Sequence, residues 1–219
     1  MATPRRSLWS PLVALALLGL AALLLSVTVG SAALPLSDVW AVARGEGSPL
    51  ARTLILDLRV PRSLSAFAVG GLLAVAGALM QVLLRNPLAD PYVLGLSGGA
   101  SVGALAAMLA GLGGAVITGS AFAGAFLSTL LVFGLAHGTG SWTPSRLLLT
   151  GVVVAAGWGA VITLMLAISP AERLPGMLYW LMGDLSYSRT PWPPLALLLL
   201  ICLLLLPLGR SLNVMARGP

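Results

Sequence analysis

The residues of this chain that could do chemistry are few, and most lie outside its long apolar runs. One short stretch gathers several of them: RNPLADPYVLGLSGGASVG, Arg85 to Gly103, holds a cation, an Asn-Pro corner, an Asp-Pro corner and a glycine-rich start to a helix. A helix N-terminus rich in glycine can cradle a phosphate. Here no strand precedes it, and all twelve basic residues of the chain are arginine. A GxxxxGK[ST] loop needs a lysine to reach the terminal phosphates, so any ATP used must be bound by another chain. His137 is the only histidine, so a metal site would lack its usual companions, and no metal ligand set is assigned. Ser97 has no base near it in sequence. Cys202, the single cysteine, sits in a leucine-rich run and reads as a small buried hydrophobe.

Ionisable residues inside a membrane are default functional candidates. None lies in the middle of a long apolar run, which speaks against intramembrane proteolysis by an aspartyl pair, a proton relay or a bis-histidine haem site. The formal charge of +6 and pI near 11.1 could suggest nucleic acid. The arginines are scattered through loops and form no stripe, so nucleic acid is not an expected partner.

The elements that must hold these residues are membrane spans. The chain is 58% hydrophobic and 8% charged, with a mean hydropathy of +1.03, far from the soluble average of about 25% charged. A span needs roughly 20 apolar residues. The uncharged runs then predict an all-α integral membrane protein with six spans, at about 10–33, 63–84, 91–111, 115–136, 146–168 and 191–209, in a single polytopic domain. The first run is too long for a signal-peptide core and is read as a span. A short interfacial helix at about 172–182 is expected outside, with Tyr179 and Trp180 at headgroup level. Leu34 to Arg62 reads as a mixed polar outer loop, and Asp90 followed by Pro91 as the start of the third span.

With both termini cytoplasmic, six arginines lie inside and six outside, so the positive-inside rule does not decide orientation. Arginine on the outer face needs a reason. A negatively charged partner is one candidate and interfacial snorkelling another. Gly70 and Gly77 in the second span, and Gly98, Gly99 and Gly103 in the third, supply the small residues through which apolar helices pack closely.

Several blocks together resemble one family. RVPRSLSAFAVGGLLAVAGALMQVLLRNPLADPYVLGLSGGASVGA, Arg59 to Ala104, is similar to the signature of the FecCD/BtuC-type permeases, the membrane subunits of ABC importers for iron-siderophores, haem and cobalamin. SRLLLTGV (Ser145 to Val152), LYWLMGDLS (Leu178 to Ser186) and SLNVMARG (Ser211 to Gly218) follow in the family's order. The resemblance implies that Arg59 and Arg62 of the RxPR box meet glutamates of a periplasmic or surface-anchored substrate-binding protein. It also implies a cytoplasmic gate of Asn86 and Leu88 in one turn and Pro144 and Ser145 in a second, although Pro144 stands where members often carry a small polar residue.

By the same resemblance the chain is not an enzyme and binds no cofactor itself, while ATP and Mg sit on a partner ABC ATPase. A second permease chain would complete a dimer in the bacterial cytoplasmic membrane. Members have ten spans, so the sequence reads as a C-terminally truncated, N-terminal six-span portion. A secondary transporter or channel without an ATPase, or a non-functional remnant, are the alternative readings.

Overall fold

A computed structural model of the chain describes residues 9–30, 34–137, 143–186, 188 and 190–217. Arg5, Arg6, Arg189, residues 31–33 of the expected first span, residues 138–142 and Gly218 of the SLNVMARG block lie outside these. The described residues are all-helical, with no strand among them. Four stretches are long and apolar enough to cross a membrane: Ser10–Thr28, Pro49–Leu84, Ala115–His137 and Pro144–Ala167. Two apolar helices, Leu96–Leu109 and Trp192–Leu205, are shorter. The chain divides into two compact units, one built from residues up to Leu72 and from Leu185–Leu205, the other from Leu73–Asp184 and the residues after Leu205.

The first unit opens with helix α1, Trp9–Thr28, whose 20 residues span about 30 Å. Its surface is apolar and mostly exposed from Leu12 to Leu25, with Gly19 and Leu23 half-buried on one side. Two short helices follow, α2 (Leu36–Ala43) and α3 (Pro49–Arg52). Ser48 starts α3 by accepting the Ala51 N–H at 3.2 Å, with Pro49 in the first helical position, where its missing N–H is no loss.

α3 runs without a break through a π-helical stretch, Thr53–Arg59, into α4, Val60–Leu84. Pro61 accounts for the widened turn. In a regular α-helix its ring would press on the Asp57 carbonyl four residues back, and instead the Val60 N–H bonds Ile55 O, five residues back. The expected polar loop Leu34 to Arg62 is thus corrected. Helix covers most of it, and Arg52, Asp57, Arg59 and Arg62 sit on the first turns of a 36-residue helix. Such a helix is roughly 54 Å long, more than the about 30 Å of hydrocarbon requires.

Val42, Ala51 and Ile55 form the buried cluster of this unit, flanked by Val27, Leu34, Val39 and Val60. Two serine pairs add hydrogen bonds: Ser26 to Ser63 at 2.7 Å and Ser65 to Ser188 at 2.6 Å. Helix α9, Trp192–Leu205, meets α4 where a Cβ on Gly71 would strike the Leu198 side chain.

In the second unit a 3-10 turn, Pro91–Leu94, leads through Gly95 into α5, Leu96–Leu109. Helix proper therefore starts at Leu96 and not at the Asp90–Pro91 pair, because Gly95 takes the left-handed conformation (φ 68°) and breaks the run. Helices α6 (Ala115–His137) and α7 (Pro144–Ala167) pack on α5. The approach of α5 and α6 is close enough that a Cβ on Gly99 would strike the Gly124 carbonyl, and one on Gly103 the Ser120 carbonyl. Helices α8 (Leu174–Met182) and α10 (Gly209–Arg217) complete the unit. Its buried cluster is Leu84, Ala89, Leu94, Val132, Ala136, Leu147 and Val154, with Met80, Phe133 and Trp158 packed against it.

Candidate functional site

Local capping shapes the backbone of the turn between α4 and α5. At the end of α4 the Asn86 N–H bonds Gln81 O at 3.1 Å and the Arg85 N–H bonds Val82 O at 3.3 Å. These are the two crossed bonds of a Schellman motif, which places Arg85 at the position usually given to glycine. Arg85 accordingly has φ 48°, the only positive φ at a non-glycine residue among the described residues.

Two Asx-Pro corners follow. Asn86 Oδ1 accepts the Leu88 N–H at 2.9 Å, and Asp90 Oδ1 accepts the Tyr92 N–H at 2.9 Å. The Ala89 N–H closes the first corner on Asn86 O at 3.0 Å. Both side chains supply acceptors where the prolines have removed donors and forbidden helix before them.

Apolar anchors fasten this turn on both sides. Leu84 before the turn and Ala89 and Leu94 within it are buried in the core of the second unit, whereas Leu88, next to Ala89, is 88% exposed. A large apolar side chain is thus held out on a rigid stalk. Leu88 also lines an open groove of about 370 Å³ between one face of α4, with Leu73, Gly77 and Gln81, and the turn, with Pro87 and Tyr92.

Behind the turn is a buried polar relay. Ser128 on α6 donates to Gly95 O at 2.9 Å and accepts the Trp158 indole N–H from α7 at 2.8 Å. Ser128 is wholly buried, so every polar atom it contacts must be matched, and here donor and acceptor are balanced.

The second expected gate segment opens α7. Thr143 accepts the Arg146 N–H at 3.3 Å through Oγ1 and Pro144 takes the first helical position. Pro144 and Ser145 are both exposed. Leu147, two residues on, shares the buried cluster with Leu84 and Ala89, so the fold brings the first turn of α7 and the Asn86–Leu88 turn to one end of the second unit.

Arg59 and Arg62, paired in the sequence, have different surroundings. Arg59 is half-buried and donates from one guanidinium nitrogen to Val27 O at 2.9 Å and Thr28 O at 3.0 Å. It caps the last carbonyls of α1, where the helix dipole favours a cation. Gly30 leaves room for it, since a Cβ there would collide with the guanidinium. Arg62 is exposed.

Arg173 repeats the device in the second unit, donating to the carbonyls of Met108 and Leu109 at the end of α5. Arginine placed to cap helix ends is a reason for its position that needs no acidic partner. Of the packing glycines, Gly98 faces Trp158 and Gly99 and Gly103 face α6, whereas a Cβ on Gly70 or Gly77 would meet nothing within 4 Å. The close packing expected at Gly70 and Gly77 is therefore not met within the described chain.

Chemically, the arrangement holds apolar and hydrogen-bonding groups in place and assembles no nucleophile–base pair at the turn. Among the described residues no three His, Cys, Asp or Glu side chains gather as metal ligands. His137 and Cys202 are both exposed, Cys202 contrary to its expected burial. The Ser128–Trp158 relay and the two capping arginines are features that pattern reading missed. The only sequence signal for the relay is a serine and a tryptophan deep within apolar runs.

A model of the FecCD transport family matches residues 17–219. The permease protein YvrB of Bacillus subtilis, described as an uncharacterized ABC transporter permease, is 37% identical over 214 residues, covering 90% of this chain and 60% of its own length. The vitamin B12 import system permease protein BtuC of Escherichia coli O127:H6 is 36% identical over 215 residues, covering 94% of this chain and 62% of its own. A solved structure described as an inward-facing conformation of an ABC transporter assigned to the metal-chelate type superposes with a TM-score of 0.78 at 28% identity, over 95% of this chain and 65% of that one. The chain thus spans about 60% of the length of these curated relatives.

Proposed function

Since the chain belongs to the FecCD transport family, a family of transport permeases and not of enzymes, we propose that it forms the membrane path of a binding-protein-dependent ABC importer for a metal chelate or cobalamin. The observation that carries this reading is the turn from Arg85 to Gly95, in which side-chain-capped Asx-Pro corners hold Leu88 exposed at the edge of an open groove. A residue that closes a path for a bulky ligand must be large, apolar and fixed to a rigid mount, and Leu88 meets all three requirements.

In this reading Asn86 and Leu88 form one lip of a cytoplasmic gate, and Pro144 and Ser145 form the other. Six spans result if α9 and the run from Pro91 to Leu109 each cross a locally thin or tilted region. The chain works with a second permease chain in the bacterial cytoplasmic membrane, both of its termini cytoplasmic. A separate ATPase carries ATP and Mg, and a substrate-binding protein docks at Arg62 with Arg59 behind it. Binding energy from the two soluble partners shifts the population between inward- and outward-open forms. The likeness to a vitamin B12 permease and to a metal-chelate transporter supports the ligand class.

The test is uptake. The permease carrying this sequence, reconstituted with its ATPase and binding protein, should accumulate labelled cobalamin or a ferric chelate only with ATP present. Uptake that persists without the ATPase would replace this reading with a secondary transporter. Retention of the Leu88→Ala variant's ATP-free seal against ligand leak would remove Leu88 from the gate.

A further inference from the structure

A short helix on a water-facing surface turns its apolar side inward and its polar side out. Helix α2 does otherwise. Its inner side, Val39 and Val42, packs with Ala51, Ile55, Val60 and Val27. The flank next to it, about 100° round the helix, is also apolar and stays uncovered: Leu36 is 65% exposed, Trp40 is 63% exposed, and Ala43 is exposed beside them. One turn further, the Arg44 guanidinium lies 5.8 Å from the Trp40 ring centre. At eight residues, α2 is about 12 Å long and cannot cross a bilayer.

The level of α2 along α1 decides what covers this second apolar side. Val27, in the last turn of α1, belongs to the cluster on which α2 sits. The carbonyls of Val27 and Thr28 are the ones Arg59 caps, which marks the end of α1 and of its apolar length. The Leu36–Trp40 flank of α2 therefore lies level with the end of α1, at the depth where hydrocarbon gives way to headgroups. Indole rings concentrate at that depth. A guanidinium lying along the ring keeps its stem in apolar surroundings while its head reaches a phosphate. A water-facing position would leave Leu36 and Trp40 unexplained.

We propose that the Leu36–Trp40–Arg44 side of α2 is a lipid-binding surface. It is seated in the headgroup region of the leaflet where α1 ends, with Trp40 among the acyl carbonyls and Arg44 on a phospholipid phosphate.

Spin labels test this in the full chain reconstituted in phosphatidylcholine vesicles, carried by L36C, W40C and E46C in a C202S background. At positions 36 and 40 the label should collide with oxygen several-fold more than with a water-soluble nickel chelate, relative to the exposed position 46. Equal nickel access at all three positions places α2 in water and overturns the proposal. Shielding of 36 and 40 from both reagents, by a second copy or a partner protein, overturns it as well. The unlabelled protein gives an independent readout, since quenching by headgroup-proximal brominated lipid should fall in W40F, and unchanged quenching counts against lipid contact.

Discussion

Trp158 on α7 donates its indole N–H to the Ser128 hydroxyl on α6 at 2.8 Å, and the same hydroxyl donates to the Gly95 carbonyl at 2.9 Å. One buried serine thereby ties two long helices to the glycine from which the Arg85–Leu94 turn hangs. Ser128→Ala strands the indole N–H and leaves the Gly95 carbonyl with only the Gly99 N–H, at 3.1 Å, and should cost about 1–3 kcal/mol. Trp158→Phe leaves the bond to Gly95 intact. The two changes should be non-additive, by about 0.5–3 kcal/mol in a double-mutant cycle. Unfolding of detergent-solubilised protein measures this, and strictly additive losses would show the relay to be energetically idle.

Gly99 and Gly70 are expected to respond in opposite directions to the same methyl group. A Cβ on Gly99 meets the Gly124 carbonyl and the Ser128 side chain, where backbone cannot yield, whereas one on Gly70 meets nothing within 4 Å. Gly99→Ala should therefore lower stability by about 1–3 kcal/mol through overpacking. Gly70→Ala should leave it unchanged or raise it by up to about 1 kcal/mol through helix propensity. Comparing the two melting curves checks the assignment.

These contrasts mark what could be read from the chain alone. The corners at Asn86–Pro87 and Asp90–Pro91 were legible, because an Asx side chain caps a neighbour two residues away and proline restricts the residue before it. The π-helical stretch and the helical run from Pro49 to Leu84 were not. Arg52, Asp57 and Arg59 look like loop markers when charge is taken as the edge of a span, yet a helix that outruns the hydrocarbon carries charge without ending. The contacts of Arg59, Ser128 and Ser65 were out of reach for another reason. Their partners lie between 30 and 123 residues away in sequence, and nothing local names them.

Arg85 is held at φ 48° at the C-terminus of α4. A left-handed conformation costs an L-residue with a Cβ roughly 1–2 kcal/mol, and glycine is its usual occupant in a Schellman motif. Arg85→Gly should accordingly raise stability by about 1 kcal/mol, and Arg85→Val should lower it. A shift of the melting temperature in these two directions is the expected result. A loss on Arg85→Gly would mean that the guanidinium contributes more than the backbone strain costs.

Arg59 and Arg62 separate a structural from a docking role. Arg59→Ala leaves the Val27 and Thr28 carbonyls without their cap, which should cost about 1–2 kcal/mol for a charged hydrogen bond at a helix C-terminus. Arg62 is exposed, and Arg62→Ala should change stability by no more than about 0.5 kcal/mol. Binding of the substrate-binding protein should fall for both, more steeply at low ionic strength, where exposed charge pairs act most strongly. Thermal unfolding and docking affinity, measured side by side for the two variants, give four numbers. Loss of docking in Arg59→Ala at unchanged stability would reassign that residue from cap to contact.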